Sequence, residues 1–363
     1  MNDTITIKNS RTTLKDIARL AGVSVSTASI VLTDKAAERR ISSEVERRVR
    51  EVAEQQDYVP NLLVHSLLRG STNVLSFYNA FGYRKWDDLY MDRLSSAIEW
   101  AAGQARFDIL THCDYSRPAD EMYRRLNGGR SDGLIFFGPG TENPLLSLLR
   151  SSRLPTVMLN HADRENALSS VTDDRNDGMR QIAHELVRLG HRRIAAIRGH
   201  WADSLLRIDT LRQYLAEQDI EIPERWIIPV DEQGPESPDQ ALQTLFNETD
   251  PPTALFCWHD RVGYQVLEAC ERMQITVPDR LSLIGYDGLH WPSRSQHILA
   301  SIDVHLDGLA AAAIQLMEDI LRGSVTSPVS QVFPVTLLRG TTLGPPLCPS
   351  GFSESGSAVA VPD

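Results

Sequence analysis

The sequence predicts an α/β core of two doubly wound parallel-sheet lobes, preceded by a small all-helical N-terminal domain. Three patterns lead to this fold class. From Asn73 onward, short apolar runs alternate with helical patterns, which is typical of parallel sheets covered by helices on both faces. A break near Ser169–Asp174 divides eight predicted strands between two lobes. The predicted strands lie near Val74–Tyr78, Phe107–His112, Gly133–Phe137, Thr156–Asn160, Ile194–Arg198, Ile227–Val230, Ala254–Trp258 and Leu281–Tyr286. Before residue 60, only helical periodicity is found.

The N-terminal domain is centred on Leu14 to Thr33. Two apolar stripes have helical spacing there: Leu14, Ile17, Ala18 and Ala21, then Ala28, Val31 and Leu32. Gly22 ends the first helix, and Ser24 can cap the second. Two helices around a short turn, with small side chains on the outer face of the second, match a helix-turn-helix that enters the major groove. An ordinary helical hairpin is the alternative.

A third helix is predicted to follow the helix pair. It begins at Ser42, and its apolar face can close a three-helix core through Val45, Val49, Val52 and Ala53. Pro60 stops this segment. The run NLLVHSLLRG that follows is too short to be a stable helix by itself, so it needs a partner to form.

Three stretches, TLKDIARLAGVSVSTASIVL, RISSEVERRVREVAEQQDYVPN and HSLLRGSTN, closely resemble the headpiece of the LacI/GalR family of bacterial transcription regulators. The resemblance implies a DNA-binding helix-turn-helix domain at residues 11–59 and a hinge helix at 60–70. It also implies a periplasmic-binding-protein-like core at 71–343. Lobe 1 would comprise about 71–172 and 303–332, and lobe 2 about 173–302 and 333–343. Residues 344–363 are rich in Pro, Ser and Gly, and we expect them to be disordered.

The DNA contacts predicted from the helix-turn-helix pattern and the resemblance are Thr13, Leu14, Ser24, Val25, Ser26, Thr27, Ser29, Ile30, Thr33, Asn61, His65 and Leu67. Val25, Ser26 and Ile30 should face the floor of the major groove. Ile30 stands where the family typically has arginine, which predicts an apolar contact with a thymine methyl group. The resemblance also implies that paired hinge helices insert Leu67 into the minor groove. His65 replaces the usual arginine in that helix, and a plain helical linker is the alternative reading.

Ligands of open parallel sheets bind beyond the carboxyl ends of the strands. This rule selects aromatic and polar residues that follow predicted strands, and the resemblance adds an arginine. The predicted effector-binding residues are Asn79, Trp201, Arg207, Trp258, Asp260 and Asp287. Aromatic faces beside carboxylates suit a polyhydroxylated ligand such as a sugar or a sugar derivative. The two aspartates could instead cap helices, and the tryptophans could be core residues.

The family supports two of these assignments directly. Its motif IGYD, present here as Ile284–Asp287, places its aspartate in the effector pocket. Arg207 aligns with its effector-binding arginine, although Thr210 stands where glycine is usual.

The net charge of −11 is distributed unevenly along the chain. Residues 1–70 hold 11 Lys and Arg against 9 Asp and Glu, whereas the rest hold 26 against 39. The N-terminal 70 residues are modestly basic and the rest of the chain is acidic. This distribution still allows the N-terminal residues to make specific phosphate contacts. The sequence has no apolar run of 18 residues and no secretory pattern at its start, so we expect a cytoplasmic protein with no membrane partner.

The sequence motifs do not support an enzymatic function. The sequence contains no nucleophile elbow, P-loop, zinc-protease motif or dinucleotide-binding glycine pattern. The four cysteines have neither zinc spacing nor disulfide density, so we expect no metal and no cofactor.

Together these observations predict a homodimeric, ligand-responsive transcription regulator, most simply a repressor, that binds near-palindromic operator DNA. Effector in the interlobe cleft would change operator affinity through linkage. An activator of the same fold is one alternative. A ligand sensor whose head serves only for dimerisation is another.

Overall fold

The computed structural model describes residues 12–33, 36–61, 66, 69–82, 88–112, 116–138, 143–200, 202–230 and 237–347. The chain divides into two compact units, Met1–Asn73 and Val74–Asp363. Within the described ranges, no helix is both long enough and apolar enough to cross a membrane.

The first unit contains three helices, α1 (Leu14–Leu20), α2 (Val25–Leu32) and α3 (Ser43–Gln55). All three begin at a hydroxyl side chain that caps a free backbone N–H, as expected from the sequence for α2 and α3. Gly22 adopts a φ of +65° in the turn between α1 and α2, a conformation that glycine tolerates best. The core of this unit is formed by Ile17, Ala18, Ala21, Ala28, Val31, Ala36, Val49 and Ala53.

The first sheet of the second unit has six parallel strands in the order β11-β5-β4-β3-β1-β2. The strands are β1 (Val74–Asn79), β2 (Asp108–Thr111), β3 (Gly133–Phe137), β4 (Thr156–Leu159), β5 (Ser169–Asp173) and β11 (Ser330–Phe333). The helices between them are α4 (Leu89–Gln104), α5 (Ala119–Leu126) and α6 (Pro144–Arg150). Apolar clusters bury both faces of this sheet.

The predicted break near Ser169–Asp174 is wrong in one respect, because Ser169–Asp173 is itself a strand of the first sheet. Its sequence, SSVTD, is too polar to read as a buried strand. The structure satisfies those polar groups across the sheet. Ser170 Oγ lies 2.9 Å from Ser330 Oγ, and Ser169 Oγ accepts a hydrogen bond from Val329 N–H at 3.2 Å.

The second sheet has four parallel strands in the order β7-β6-β8-β9. The strands are β6 (Ile194–Arg198), β7 (Ile227–Pro229), β8 (Ala254–Cys257) and β9 (Ser282–Ile284). The helices of this lobe are α7 (Arg175–Arg188), α8 (Ala202–Ala216), α9 (Pro238–Phe246) and α10 (Asp260–Arg272). The eight strands predicted from the sequence are all present, and the observed architecture confirms the predicted fold class.

The chain passes between the two lobes three times. The first passage leads from β5 into α7. The second follows β10 (Ser301–Asp303), after which α11 (Leu306–Leu321) packs on α4 of the first lobe. The third leads from β11 to β12 (Thr336–Leu338), which pairs antiparallel with β10. These passages hold the carboxyl ends of the two sheets toward each other.

Candidate functional site

The outer face of α2 is the first candidate site. Ser24 Oγ accepts a hydrogen bond from Thr27 N–H at 3.0 Å, which fixes the start of the helix. Val25 and Ser26 are exposed at this start, while Ser29 and Ile30 are half-buried one turn later. An exposed N-terminal turn on the second helix of a helix-turn-helix is what contact with base edges requires.

Other predicted DNA contacts lie around α1 and α2. Thr13 and Asp16 form a capping box, in which the Thr13 hydroxyl donates to Asp16 Oδ2 at 2.6 Å. The Thr33 hydroxyl donates to Ser29 O at 2.9 Å. Leu14 packs partly against the core of the first unit. The oxygens of Thr13 and Thr33 retain lone pairs, so both can still accept a hydrogen bond.

Three predicted site residues, His65, Leu67 and Trp201, lie outside the described residues. Asn61 is described and exposed. The hinge-helix prediction therefore remains a prediction.

The second candidate site lies where the carboxyl ends of the two sheets meet, and we call it the interlobe cleft. Two contacts define it. Tyr286 follows β9, and its hydroxyl donates a hydrogen bond of 2.5 Å to Asp173 Oδ2 at the end of β5. His161 Nε2, which follows β4, lies 2.7 Å from Asp203 Oδ2 at the start of α8.

Arg207 and Asp287 form the charged centre of the cleft. The Arg207 guanidinium lies over the Tyr286 ring, with its Cζ 3.9 Å from the ring centroid, and its Nη2 is 3.6 Å from Asp287 Oδ1. Arg207 Nη1 also donates to the Trp258 carbonyl at 2.5 Å. Both charged residues are buried, with relative exposures of 6% and 8%. The structure therefore brings Arg207, Trp258 and Asp287 together, and their role in effector binding stays a prediction.

Burial controls the electrostatics of this centre. It raises the pKa of Asp287 to about 6, although Arg207 and His259 partly oppose the change. The pKa of Arg207 is also raised. Burial by itself would lower it, but the interactions with Asp287, Tyr286 and Asp173 have the larger, opposite effect. Asp287 also adopts a φ of +115°, a conformation that aspartate rarely occupies. An unusual backbone at a buried carboxylate is typical of a functional position.

Asp260 occupies a different environment from Asp287. It is fully buried at the start of α10. Its Oδ1 accepts from the Ser301 hydroxyl at 2.6 Å, and its Oδ2 accepts from Leu289 N–H at 2.5 Å. Burial raises its pKa well above the ordinary value. With both oxygens engaged by the protein, Asp260 ties α10 to β10 and to the loop that carries Asp287.

Trp258 follows β8 of the second lobe, and Asn79 ends β1 of the first lobe. The Trp258 ring covers Gly199 so closely that a Cβ atom there would lie 2.7 Å from the ring. Asn79 ends β1, and its Oδ1 accepts from Phe81 N–H at 3.0 Å, which holds the following turn. The Phe81 ring in turn packs on Phe137, with centroids 5.2 Å apart. Phe81 and Phe137 thus form an aromatic pair at the carboxyl ends of β1 and β3.

Sequence reasoning missed four residues of the cleft: His161, Asp173, Arg175 and Asp203. The rule that selects residues after strands also covers His161 and Asp203, but it gave no reason to pair residues so distant in the chain. Asp173 was hidden because its polar strand was not recognised. Arg175 Nη2 lies 3.4 Å from Asp203 Oδ1. The hydrogen bond from His161 and the charges around it lower the pKa of Asp203 to about 2, against the effect of its burial.

Several buried polar atoms around the cleft have no hydrogen-bond partner among the residues that the structure describes. They are His161 Nδ1, Asp173 Oδ1, Arg175 Nε, Arg207 Nε and Trp258 Nε1. Buried polar atoms in native proteins are nearly always paired. A ligand with both hydroxyl donors and oxygen acceptors can supply the missing partners.

Two protein-family models match the chain. One is described as bacterial regulatory proteins of the lacI family and matches residues 13–61. The other is a periplasmic binding protein-like domain and matches residues 183–343. The first covers the three-helix unit, and the second covers most of the second lobe and the later interlobe passages.

Curated relatives match along nearly the whole chain. The HTH-type transcriptional repressor PurR of Photobacterium profundum is 25% identical over 332 residues, which cover 90% of this chain and 97% of that protein. The ribose operon repressor of Escherichia coli (strain K12) is 26% identical over 341 residues, which cover 91% and 99%.

Solved structures share the same fold. A lac repressor dimer bound to operator and the anti-inducer ONPF has a TM-score of 0.78 at 21% identity, covering 92% of this chain and 99% of that chain. The transcriptional regulator CelR in complex with cellobiose has a TM-score of 0.66 at 22% identity, covering 92% and 100%. With the helix-turn-helix, the two-lobed core and both family models in agreement, this chain belongs to the LacI family of bacterial regulatory proteins.

Proposed function

We propose that this chain is a transcriptional repressor that binds a near-palindromic operator as a homodimer. We further propose that a sugar or sugar derivative in the interlobe cleft controls its operator affinity. One observation carries the proposal. A single chain combines a helix-turn-helix whose second helix exposes its N-terminal turn with a core whose facing strand ends hold a buried arginine and carboxylate cluster.

On the DNA side, Val25 and Ser26 contact base edges, and Ile30 contacts a thymine methyl group. Their neighbours Thr13, Leu14, Ser24, Thr27, Ser29, Thr33 and Asn61 position the head against phosphates and sugars. In the hinge segment, His65 contacts the backbone, and Leu67 wedges between base pairs at the operator centre.

On the ligand side, Asp287 accepts hydrogen bonds from ligand hydroxyl groups, and Arg207 and Trp258 donate to ligand oxygens. Trp258 and Trp201 cover apolar C–H faces. Asn79 and Asp260 act by positioning, because hydrogen bonds within the protein already engage their oxygens. Among the relatives, one is named as a ribose operon repressor, and one structure contains cellobiose, which supports a carbohydrate.

The mechanism is thermodynamic linkage. The effector binds one lobe arrangement better than the other, and the operator-bound dimer also favours one arrangement. Each ligand therefore changes the affinity for the other by the same factor. A coupling of about 1 to 3 kcal/mol would change operator affinity about 5- to 150-fold.

The deciding experiment has two stages. Selection from random duplex DNA with the full-length protein should yield a near-palindromic site. A thermal-shift panel of sugars, sugar derivatives, nucleosides and nucleobases should then identify a compound that stabilises the protein and changes its affinity for the selected site. Transcription in vitro from a promoter that overlaps this site should fall when the protein is added.

Each stage can contradict part of the proposal. If the selection enriches no DNA sequence, operator binding is excluded, and the alternative of a ligand sensor without operator specificity remains. Stabilisation by nucleobases but not by sugars would overturn the carbohydrate assignment. Increased transcription would identify an activator.

A further inference from the structure

One edge of the first sheet carries three exposed arginines in a row. Arg106 precedes the first residue of β2 by two positions, whereas Arg130 and Arg153 precede β3 and β4 by three positions each. All four strands β2-β1-β3-β4 are parallel neighbours, so the three arginines share the edge at which these strands begin. At about 4.8 Å per strand, the row extends over about 15 Å.

These three arginines are not neutralised by the described part of the chain, where none of them has an ion-pair or side-chain hydrogen-bond partner. Nearby Arg150, by contrast, is paired with both Asp163 and Glu165. The acids on the same edge are Asp108, which is exposed, and Asp132, which is half-buried. The row is therefore a cationic strip on the part of the chain, residues 71–363, in which acids outnumber bases by 39 to 26.

One further feature singles out this strip. Arg106 adopts a φ of +62° in the turn after α4, at a type of position where glycine is preferred. His112 follows the carboxyl end of β2, where burial lowers its pKa to about 4, and the charges of Arg125 and Arg130 add to this effect.

The same edge is where the chain enters the core. Val74 begins β1 there, and Asp132 N–H donates to the Val74 carbonyl at 2.8 Å, beside Arg130. Residues 61–73, which connect the helix-turn-helix unit to Val74, are 13 residues and span at most about 45 Å when extended. DNA held by that unit is therefore tethered to this edge at a high effective concentration.

We propose that Arg106, Arg130 and Arg153 form a second DNA-contacting surface, which binds the phosphate backbone of the duplex that the helix-turn-helix unit recognises. This inference rests on the proposed operator binding. Guanidinium groups suit phosphate oxygens because they donate in a planar fork. Phosphate contacts add affinity without reading the base sequence. The strip therefore strengthens operator and non-operator binding alike.

The test is the salt dependence of DNA binding by full-length protein that carries Arg106→Gln, Arg130→Gln and Arg153→Gln together. Each lost phosphate contact should make the plot of log Kobs against log salt shallower by about 0.9. We expect a decrease of up to about 2.7 for each subunit of the triple variant, and therefore up to about 5.4 for the homodimer, equal on the selected operator and on unrelated duplex. The ratio of the two affinities should not change.

A matched control removes three exposed arginines of the second lobe: Arg192→Gln, Arg225→Gln and Arg280→Gln. It changes the net charge by the same amount at other sites, so its slope should stay close to wild type. An equal loss of slope in the control would show a long-range charge effect and overturn the proposal. Circular dichroism and sedimentation should show both variants folded and with the wild-type oligomeric state.

The outcomes separate this inference from the proposed function. If the wild-type protein binds no selected DNA, the proposed function fails. If it binds and the first triple variant keeps the full slope, only the arginine strip is excluded. A variant that keeps the slope but changes its sedimentation would assign the strip to contacts between copies of this chain, which also overturns the proposal.

Discussion

Replacing Asp287 with Asn should weaken effector binding while leaving operator affinity without effector nearly unchanged. Asn keeps the shape of the side chain, so the substitution tests the charge and not the packing. Asp287 is buried 3.6 Å from Arg207 and far from the helix-turn-helix unit in sequence. Hydrogen bonds to a charged group contribute about 1.5 to 3 kcal/mol. The expected loss of affinity is therefore about 10- to 150-fold.

The raised pKa of Asp287 adds a pH dependence with a defined sign. Burial moves its pKa from the ordinary 3.8 to about 6, so between these values the folded protein holds a proton that the unfolded chain releases. The free energy of unfolding therefore decreases as pH rises from 3.8 to about 6, because ionisation of Asp287 favours the unfolded chain. If the effector requires the carboxylate, its affinity should fall on acidification, to about a tenth at pH 5 of its value at pH 7.

Isothermal titration calorimetry between pH 5 and 8 with the identified effector measures both effects. Wild-type affinity should rise with pH and level off near 7, whereas Asp287→Asn should bind weakly at every pH. Circular dichroism and operator binding without effector serve as controls. Equal affinity in the variant, or an unchanged pH profile, would remove Asp287 from the ligand site.

Three further substitutions test other parts of the mechanism. Ile30→Ala should relax one base preference in the selected operator because it removes an apolar contact with a thymine methyl, and an unchanged consensus at every position would exclude that contact. Leu67→Ala should reduce DNA bending in a circular-permutation gel assay while sparing effector binding, and an unchanged bend would exclude the wedge. Thr13→Ala removes the capping box of α1 and should destabilise the helix-turn-helix unit by about 1 kcal/mol, measured as a lower thermal midpoint, whereas Lys15→Ala, an exposed change on the same helix, should have little effect.

Local patterns in the sequence were sufficient to predict the elements with clear apolar periodicity, whereas the polar strand β5 was not recognised. The apolar stripe that includes Ile17 and Ala18 places them in the three-helix core, and Ser24 caps α2 as predicted. The predicted strands Gly133–Phe137 and Ile194–Arg198 have the bounds observed in the structure. These features depend on side-chain spacing over a few residues, which the sequence displays directly. The fold class follows from the order of such elements along the chain.

Which residues come together in the interlobe cleft is determined by the tertiary structure. His161 meets Asp203 across the cleft although 42 residues separate them, and Tyr286 meets Asp173 across 113 residues. Asp260 and Asp287 both follow strands of the second lobe, yet only Asp260 has both oxygens satisfied by protein donors. Contacts of this kind depend on which strands become neighbours and on what buries each carboxylate. A local sequence pattern shows neither the neighbouring strand nor the residues that bury a carboxylate, because these lie elsewhere in the chain.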